Sequence, residues 1–221
     1  MPGPTTPCIY VIAGPNGAGK SSLMGAVMRK SGADYFNPDL EATGLQRDNP
    51  HLAREQANSL AWRLGTDLLK RAIRERKTFA FETTLGGNTI PRLLMQAVAE
   101  GMEIRVWFAG LASPELHIKR VRARVAQGGH SIPEEKIRER FDRSRQNLIH
   151  LLPQITELRM FDNSIEADPA AGKRPTPTLI LHLQRGAIVT ACPPEATPDW
   201  AKPIREVAMR LHEACGRRSK K

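Results

Sequence analysis

The chain has 221 residues, of which 40% are hydrophobic and 25% charged, enough for one well-buried α/β domain and too few for two of ordinary size. No apolar run approaches the roughly 20 residues that span a bilayer, so a membrane protein is not expected. The net charge of +10 is concentrated, with +4 in residues 113–148 and +4 in the tail 216–221. With aromatics at only 5%, that distribution makes a nucleic-acid partner a poor expectation, because such a surface needs a broad basic stripe with interleaved aromatics. Cys8, Cys192 and Cys215 are odd in number and lack metal-ligand spacing. They read as reduced thiols, and with no basic leader before the first apolar run they point to a cytoplasmic protein.

In chain order, "CIYVIAG" (8–14) is a β-rich run feeding a glycine-rich loop, and a helix is expected from about Gly19 to Lys30. "DYFNPD" (34–39) reads as a short strand ending in polar residues. From about His51 to Lys77 apolar residues recur every three or four positions, the spacing of a long amphipathic helix. A strand over 78–84, a helix over 91–100 and a strand over 103–111 follow. Ser113-Pro114 opens a further helix in the favoured way, running to Gly128-Gly129, and another is expected from Pro133 to His150. A fifth strand over 158–164, a Pro/Gly-rich loop, a hairpin turning at Arg185-Gly186 and a final helix over 200–215 complete the chain. Strand–helix alternation implies a three-layer α/β fold with a mostly parallel central sheet, its ligand beyond the carboxyl ends of the strands. The expected organisation is a single domain over 1–221. It has a core over 8–165, a lid over about 113–150, the hairpin and helix over 176–215, and a basic tail.

The strongest chemical signal is Gly14-Pro15-Asn16-Gly17-Ala18-Gly19-Lys20-Ser21, which fits G-x-x-x-x-G-K-[ST] without a mismatch. In a strand–loop–helix context the backbone N–H groups of such a loop, with Ser22 in the helix behind it, cradle phosphates. Lys20 reaches the β/γ-phosphates, and Ser21 ligates Mg²⁺. ATP and Mg²⁺ are therefore the expected cofactors. Motors and transporters usually carry a later strand ending in paired acids, but "IRVWFAGL" ends in Ala-Gly. The acids sit instead at Asp39 and Glu82, where a second substrate would lie. That favours transfer to an acceptor over hydrolysis, with Asp39 as general base and Glu82 and Thr83 beside the acceptor. Arg120 and Arg124 share one helix face, and Arg140, Arg143 and Asn147 form a stripe on the next helix, with Ile137, Phe141, Ser144 and Leu148 turned inward. Two arginine-bearing helices joined at Gly128-Gly129-His130 would make a lid over the triphosphate.

The ordered set G-P-N-G-A-G-K-S, N-P-D, F-E-T-T-L and G-G-H-S-I-P-E-E-K-I-R-E-R-F-D-R-S-R-Q-N-L, spanning residues 8–150, resembles the zeta-toxin family of P-loop kinases in its short, single-domain branch. The larger toxins read more like E-G-T where this chain has Glu82-Thr83-Thr84. The resemblance implies an adenylate-kinase-like fold and transfer of the ATP γ-phosphate to a sugar hydroxyl. The implied acceptor is a nucleotide sugar such as UDP-N-acetylglucosamine, and an antitoxin protein becomes a partner to test. It also implies that Lys20 and Ser21 serve the phosphates and metal, Asp39 the base and Glu82 the substrate side. Arg140 and Arg143, then Arg124, are the lid arginines it implies. An ATPase or switch module acting on a partner protein, and a kinase of nucleic-acid ends, remain open alternatives.

Overall fold

The central strand β1 (Cys8–Ala13) is apolar on both faces, with Ile9, Val11, Ile12 and Ala13 at most 1% exposed. That is the pattern of a parallel strand covered by helices on each side. The computed structural model describes residues 6–20, 23, 35–165 and 176–218. Ser21, Ser22, most of the helix expected after the glycine loop, the loop 166–175 and the last three tail residues lie outside them. After β1 come β2 (Tyr35–Phe36), α1 (Pro38–Asp48), α2 (Arg54–Arg74), β3 (Phe79–Thr83), α3 (Thr89–Ala99) and β4 (Glu103–Gly110). They are followed by α4 (Pro114–Ala126), α5 (Glu134–Leu151), β5 (Glu157–Asp162), β6 (Thr178–Gln184), β7 (Ala187–Ala191) and α6 (Lys202–Arg218).

The sheet order is β2-β3-β1-β4-β5-β6-β7. Strands β2, β3, β1, β4 and β5 run parallel, and β6 and β7 are antiparallel additions at one edge. Ala13, the last residue of β1, is level with Thr83 on one side and Phe108 on the other. The chain leaves β1 toward β2 and β3, then returns to place β4 on the opposite side. The glycine loop therefore opens at the point where strand order reverses, where α/β sheets bind ligands. The main core joins Ile9, Val11 and Phe108 to Leu94, Leu148, Leu158 and Trp200. Burial of each large apolar side chain is worth about 1.5–3 kcal/mol.

One expected element is corrected. The strand over 34–39 ends at Phe36, and a helix begins at Pro38. Asn37 caps that helix, its Oδ1 accepting from the backbone N–H of Asp39 at 2.8 Å and of Leu40 at 3.2 Å, with Pro38 in the first turn. Asn-Pro-Asp is a helix start: cap, fixed φ, then an acid at the positive end of the helix dipole. Asp39 thus projects from the first turn of α1 rather than from a strand end. The hairpin turns at Arg185 (φ 48°) and Gly186 (φ 78°) as expected, both positive as a two-residue type I′ turn requires.

Candidate active site

Gly14, Gly17 and Gly19 have φ of 139°, 79° and 80°, conformations that side-chain-bearing residues rarely adopt. Close approach adds a second reason. A methyl on Gly14 would lie 2.2 Å from the Ala109 carbonyl oxygen, and one on Gly19 would lie 2.3 Å from Asn163 Nδ2. The loop is thus moulded against the ends of β4 and β5. Lys20 is buried, and its Nζ donates to the carbonyls of Gly14 at 2.8 Å and Pro15 at 3.2 Å. It also lies 3.6 Å from Glu82 Oε1. Burial pulls the ammonium pKa down, while the carboxylates of Glu82 and Asp39 act to keep it charged. A cradle of glycine backbone with a desolvated ammonium at its edge fits a polyphosphate, which would give Lys20 a stronger anionic partner than its own loop carbonyls.

Glu82, near the end of β3, is held on both oxygens. Lys20 approaches Oε1, while Tyr35 Oη donates to Oε2 at 3.3 Å and Asn37 Nδ2 at 3.1 Å. Asn37 therefore does two things, capping the helix of Asp39 and orienting the acid of β3. Burial, with the Glu82 charge next, pushes the Tyr35 phenol above its ordinary range, so it stays a donor. Asp39 is half-exposed, and Arg124 Nη1 lies 3.9 Å from its Oδ2. The Thr83 hydroxyl accepts from the Leu85 N–H at 3.0 Å and helps to shape the exit of the strand.

The arginines divide. Arg140 donates from Nη1 to Asn16 Oδ1 at 2.7 Å, bringing α5 onto the glycine loop. The loop after β3 permits this, because a methyl on Gly86 would lie 2.9 Å from Arg140 Cγ. Asn147 fastens the same loop by donating to the carbonyls of Leu85 at 2.7 Å and Gly87 at 3.0 Å, and Ser144 donates to the carbonyl of Thr84. The inward stripe of Ile137, Phe141, Ser144 and Leu148 packs as expected. Arg143 pairs with Glu139 at 3.5 Å on an exposed face and is not drawn to the loop. Arg120, whose Cβ would lie 3.5 Å from a methyl on Gly17, donates to the Asn163 carbonyl at 2.7 Å, and Arg122 pairs with Glu134.

Three features have no motif in the sequence. His117 is fully buried beneath the loop, its Nδ1–H donating to the Asn16 carbonyl at 2.7 Å, with no hydrogen-bond partner at Nε2 among the described residues. Burial holds its pKa down near 4. Asn163, just past β5, donates to the Ala18 carbonyl at 2.9 Å. Arg54 reaches from α2 to Thr43 and Gln46 of α1 and to His130 Nδ1 at 3.3 Å. Because a guanidinium only donates, His130 Nδ1 is unprotonated, and burial lowers its pKa, with Asp39 and three arginines also within its field.

The class that this fold and this site define is the ATP-dependent P-loop kinases. The family model for zeta toxin matches residues 1–167, and the chain belongs to that family. An uncharacterized protein of Haemophilus influenzae is 30% identical over 128 residues, covering 58% of this chain and 88% of that one. A chain of the AvrRxo1-ORF1:AvrRxo1-ORF2 complex is similar with a TM-score of 0.65 and 14% identity over 93% of this chain; this chain spans 64% of its length. The PezAT toxin–antitoxin system of Streptococcus pneumoniae offers a TM-score of 0.52 at 13% identity, over 73% of this chain and 70% of that one. At such identities both structures speak for the fold alone.

Proposed function

We propose that the protein transfers the γ-phosphate of ATP to a hydroxyl of a small-molecule acceptor. A nucleotide sugar is the favoured class and UDP-N-acetylglucosamine the first candidate. One observation carries this reading: two carboxylates on the acceptor side of the phosphate loop are each matched to a cation, Glu82 to Lys20 at 3.6 Å and Asp39 to Arg124 at 3.9 Å. A hydrolase has no need of a second acid-lined wall, whereas a transferase needs one to receive an alcohol. Asp39 accepts the acceptor's proton as its oxygen bonds to the γ-phosphorus and the bond to the β-phosphate oxygen breaks, with ADP leaving. Lys20 and Arg140 face the charge that spreads over the transferred group. Mg²⁺, for which Ser21 is the proposed ligand, would neutralise charge on the phosphates. Arg54, Arg124 and Arg140 around His130 favour an acceptor that carries negative charge of its own, as the diphosphate of a nucleotide sugar does.

Support comes from family membership and from a structural neighbour solved with ATP, AvrRxo1-ORF1:-ORF2, at a TM-score of 0.65. The α4–α5 hairpin is proposed as the lid, closing through Arg140. An antitoxin is proposed as a protein partner, since PezAT is a toxin–antitoxin system. The test is incubation with labelled ATP, Mg²⁺ and a panel of nucleotide sugars and other metabolites. Label should pass to an acceptor, and turnover should be low without one. Release of inorganic phosphate at the same rate with and without every acceptor would defeat the reading.

A further inference from the structure

The family match ends at residue 167, yet the chain continues into the β6–β7 hairpin and α6, which carry no recognised motif. Trp200, in the short turn Asp199–Ala201 that leads into α6, is 3% exposed and lies across the ends of both strands that abut the phosphate loop. Against β4 it is a wedge. A methyl on Gly110 would lie 2.4 Å from the indole, and the ring also tilts over Phe108 with centroids 6.0 Å apart. The neighbour of Gly110 is Ala109, whose carbonyl oxygen abuts Gly14 at the start of the loop. Against β5 Trp200 is a donor, its Nε1–H bonding Asp162 Oδ1 at 2.9 Å. The next residue is Asn163, 4% exposed, whose backbone N–H donates to the Gly110 carbonyl at 3.0 Å and whose amide donates to the Ala18 carbonyl at 2.9 Å. One indole therefore braces both ends of the loop, the entry through Gly110 and Ala109, the exit through Asp162 and Asn163.

We propose that Trp200 and Asn163 are positioning residues for the phosphate loop, which makes the C-terminal hairpin and helix part of the nucleotide-binding unit. The inference rests on the kinase reading, because the ligand whose binding it governs is ATP. A loop with Gly14 packed against the Ala109 carbonyl and the Ala18 carbonyl held by Asn163 keeps its N–H groups aimed at phosphate without reorganising when the ligand arrives, and preorganisation of that kind raises affinity. Apolar packing alone would not ask for the indole N–H; the bond to Asp162 is what ties the wedge to the strand that bears Asn163.

Calorimetric titration with ATP tests this on the full chain. Trp200→Phe keeps most of the ring and removes the N–H; Asn163→Ala removes the bond to Ala18. Ile204→Val is the control, a conservative trimming of a buried residue of α6 at 0% exposure that removes no hydrogen bond. Each of the first two variants should weaken ATP binding about 5-fold or more, the loss expected of one buried hydrogen bond. The double variant should weaken it by less than the product of the two, since both act on one brace. Ile204→Val should bind as wild type even if it melts earlier. If Trp200→Phe fails to fold, Asn163→Ala decides. Binding by Trp200→Phe and Asn163→Ala within about 2-fold of Ile204→Val would overturn the proposal. A wild-type protein with no affinity for ATP would instead overturn the kinase reading beneath it, and the brace with it.

Discussion

Acid should destabilise this protein through His117 above all. His117 has an ordinary pKa of 6.5, which burial lowers to about 4 in the folded chain. The unfolded chain takes up a proton as pH falls through about 6.5, while the native state refuses it until about 4. The stability present above pH 6.5 is therefore lost progressively down to pH 4, and about 3 kcal/mol is at stake. The cause is geometric: Nδ1–H is already committed to the Asn16 carbonyl, so the incoming proton must sit on Nε2, which is buried with no acceptor among the described residues, and Lys20 and Arg120 repel the charge. The assay is urea denaturation of wild type and His117→Asn across pH 7 to 4. The asparagine amide can stand in for Nδ1–H and does not titrate. The variant starts less stable because the smaller side chain leaves space, but its curve should lack about 3 kcal/mol of the acid-side decline. Parallel stability–pH curves for the two proteins would refute the reasoning.

Arg140→Met keeps the bulk of the side chain and removes the charge-assisted bond to Asn16, an interaction worth about 1.5–3 kcal/mol. Steady-state phosphotransfer kinetics should show kcat/KM reduced roughly 10- to 100-fold, and a change under 3-fold would count against lid closure through this residue. Cys8 should be inert in the native protein, since burial pushes its thiol up to about 12. Its thiolate population at pH 8 is then roughly 1000-fold below that of an unperturbed thiol. Mass spectrometry after brief iodoacetamide treatment should find the half-buried Cys192 and Cys215 alkylated and Cys8 untouched until the chain is unfolded; early labelling of Cys8 would show that β1 opens.

The parts of this molecule that were legible in its sequence are those written in local spacing. The glycine loop, the inward stripe of α5 and the Arg185-Gly186 turn each depend on residues a few positions apart, and each appears where its pattern placed it. The reading of Asn37-Pro38-Asp39 as a strand end fails, because cap, proline and first-turn acid together outweigh the short β-rich run before them. What could not be read is contact across the fold. Asn16 meets Arg140 across 124 residues and Ala18 meets Asn163 across 145, and nothing in the local chemistry of an asparagine announces such a partner. The arginines show the same limit. Arg120 and Arg124 share one helix face by spacing, yet Arg120 turns to β5 and Arg124 to Asp39, because what stands opposite each decides its use. Trp200 and His117 belong to no motif, and burial is part of what each does.

The central claim is that Asp39, set at the start of α1 by its Asn-Pro cap, takes the proton of an acceptor hydroxyl beside the phosphate loop. Asp39→Asn tests it most directly, since the amide preserves the shape and leaves the Asn37 cap to the same backbone N–H. With ATP binding measured in parallel, the account predicts unchanged nucleotide affinity and a fall in transfer of roughly 10²–10⁴-fold. Transfer at the wild-type rate by this variant would contradict it.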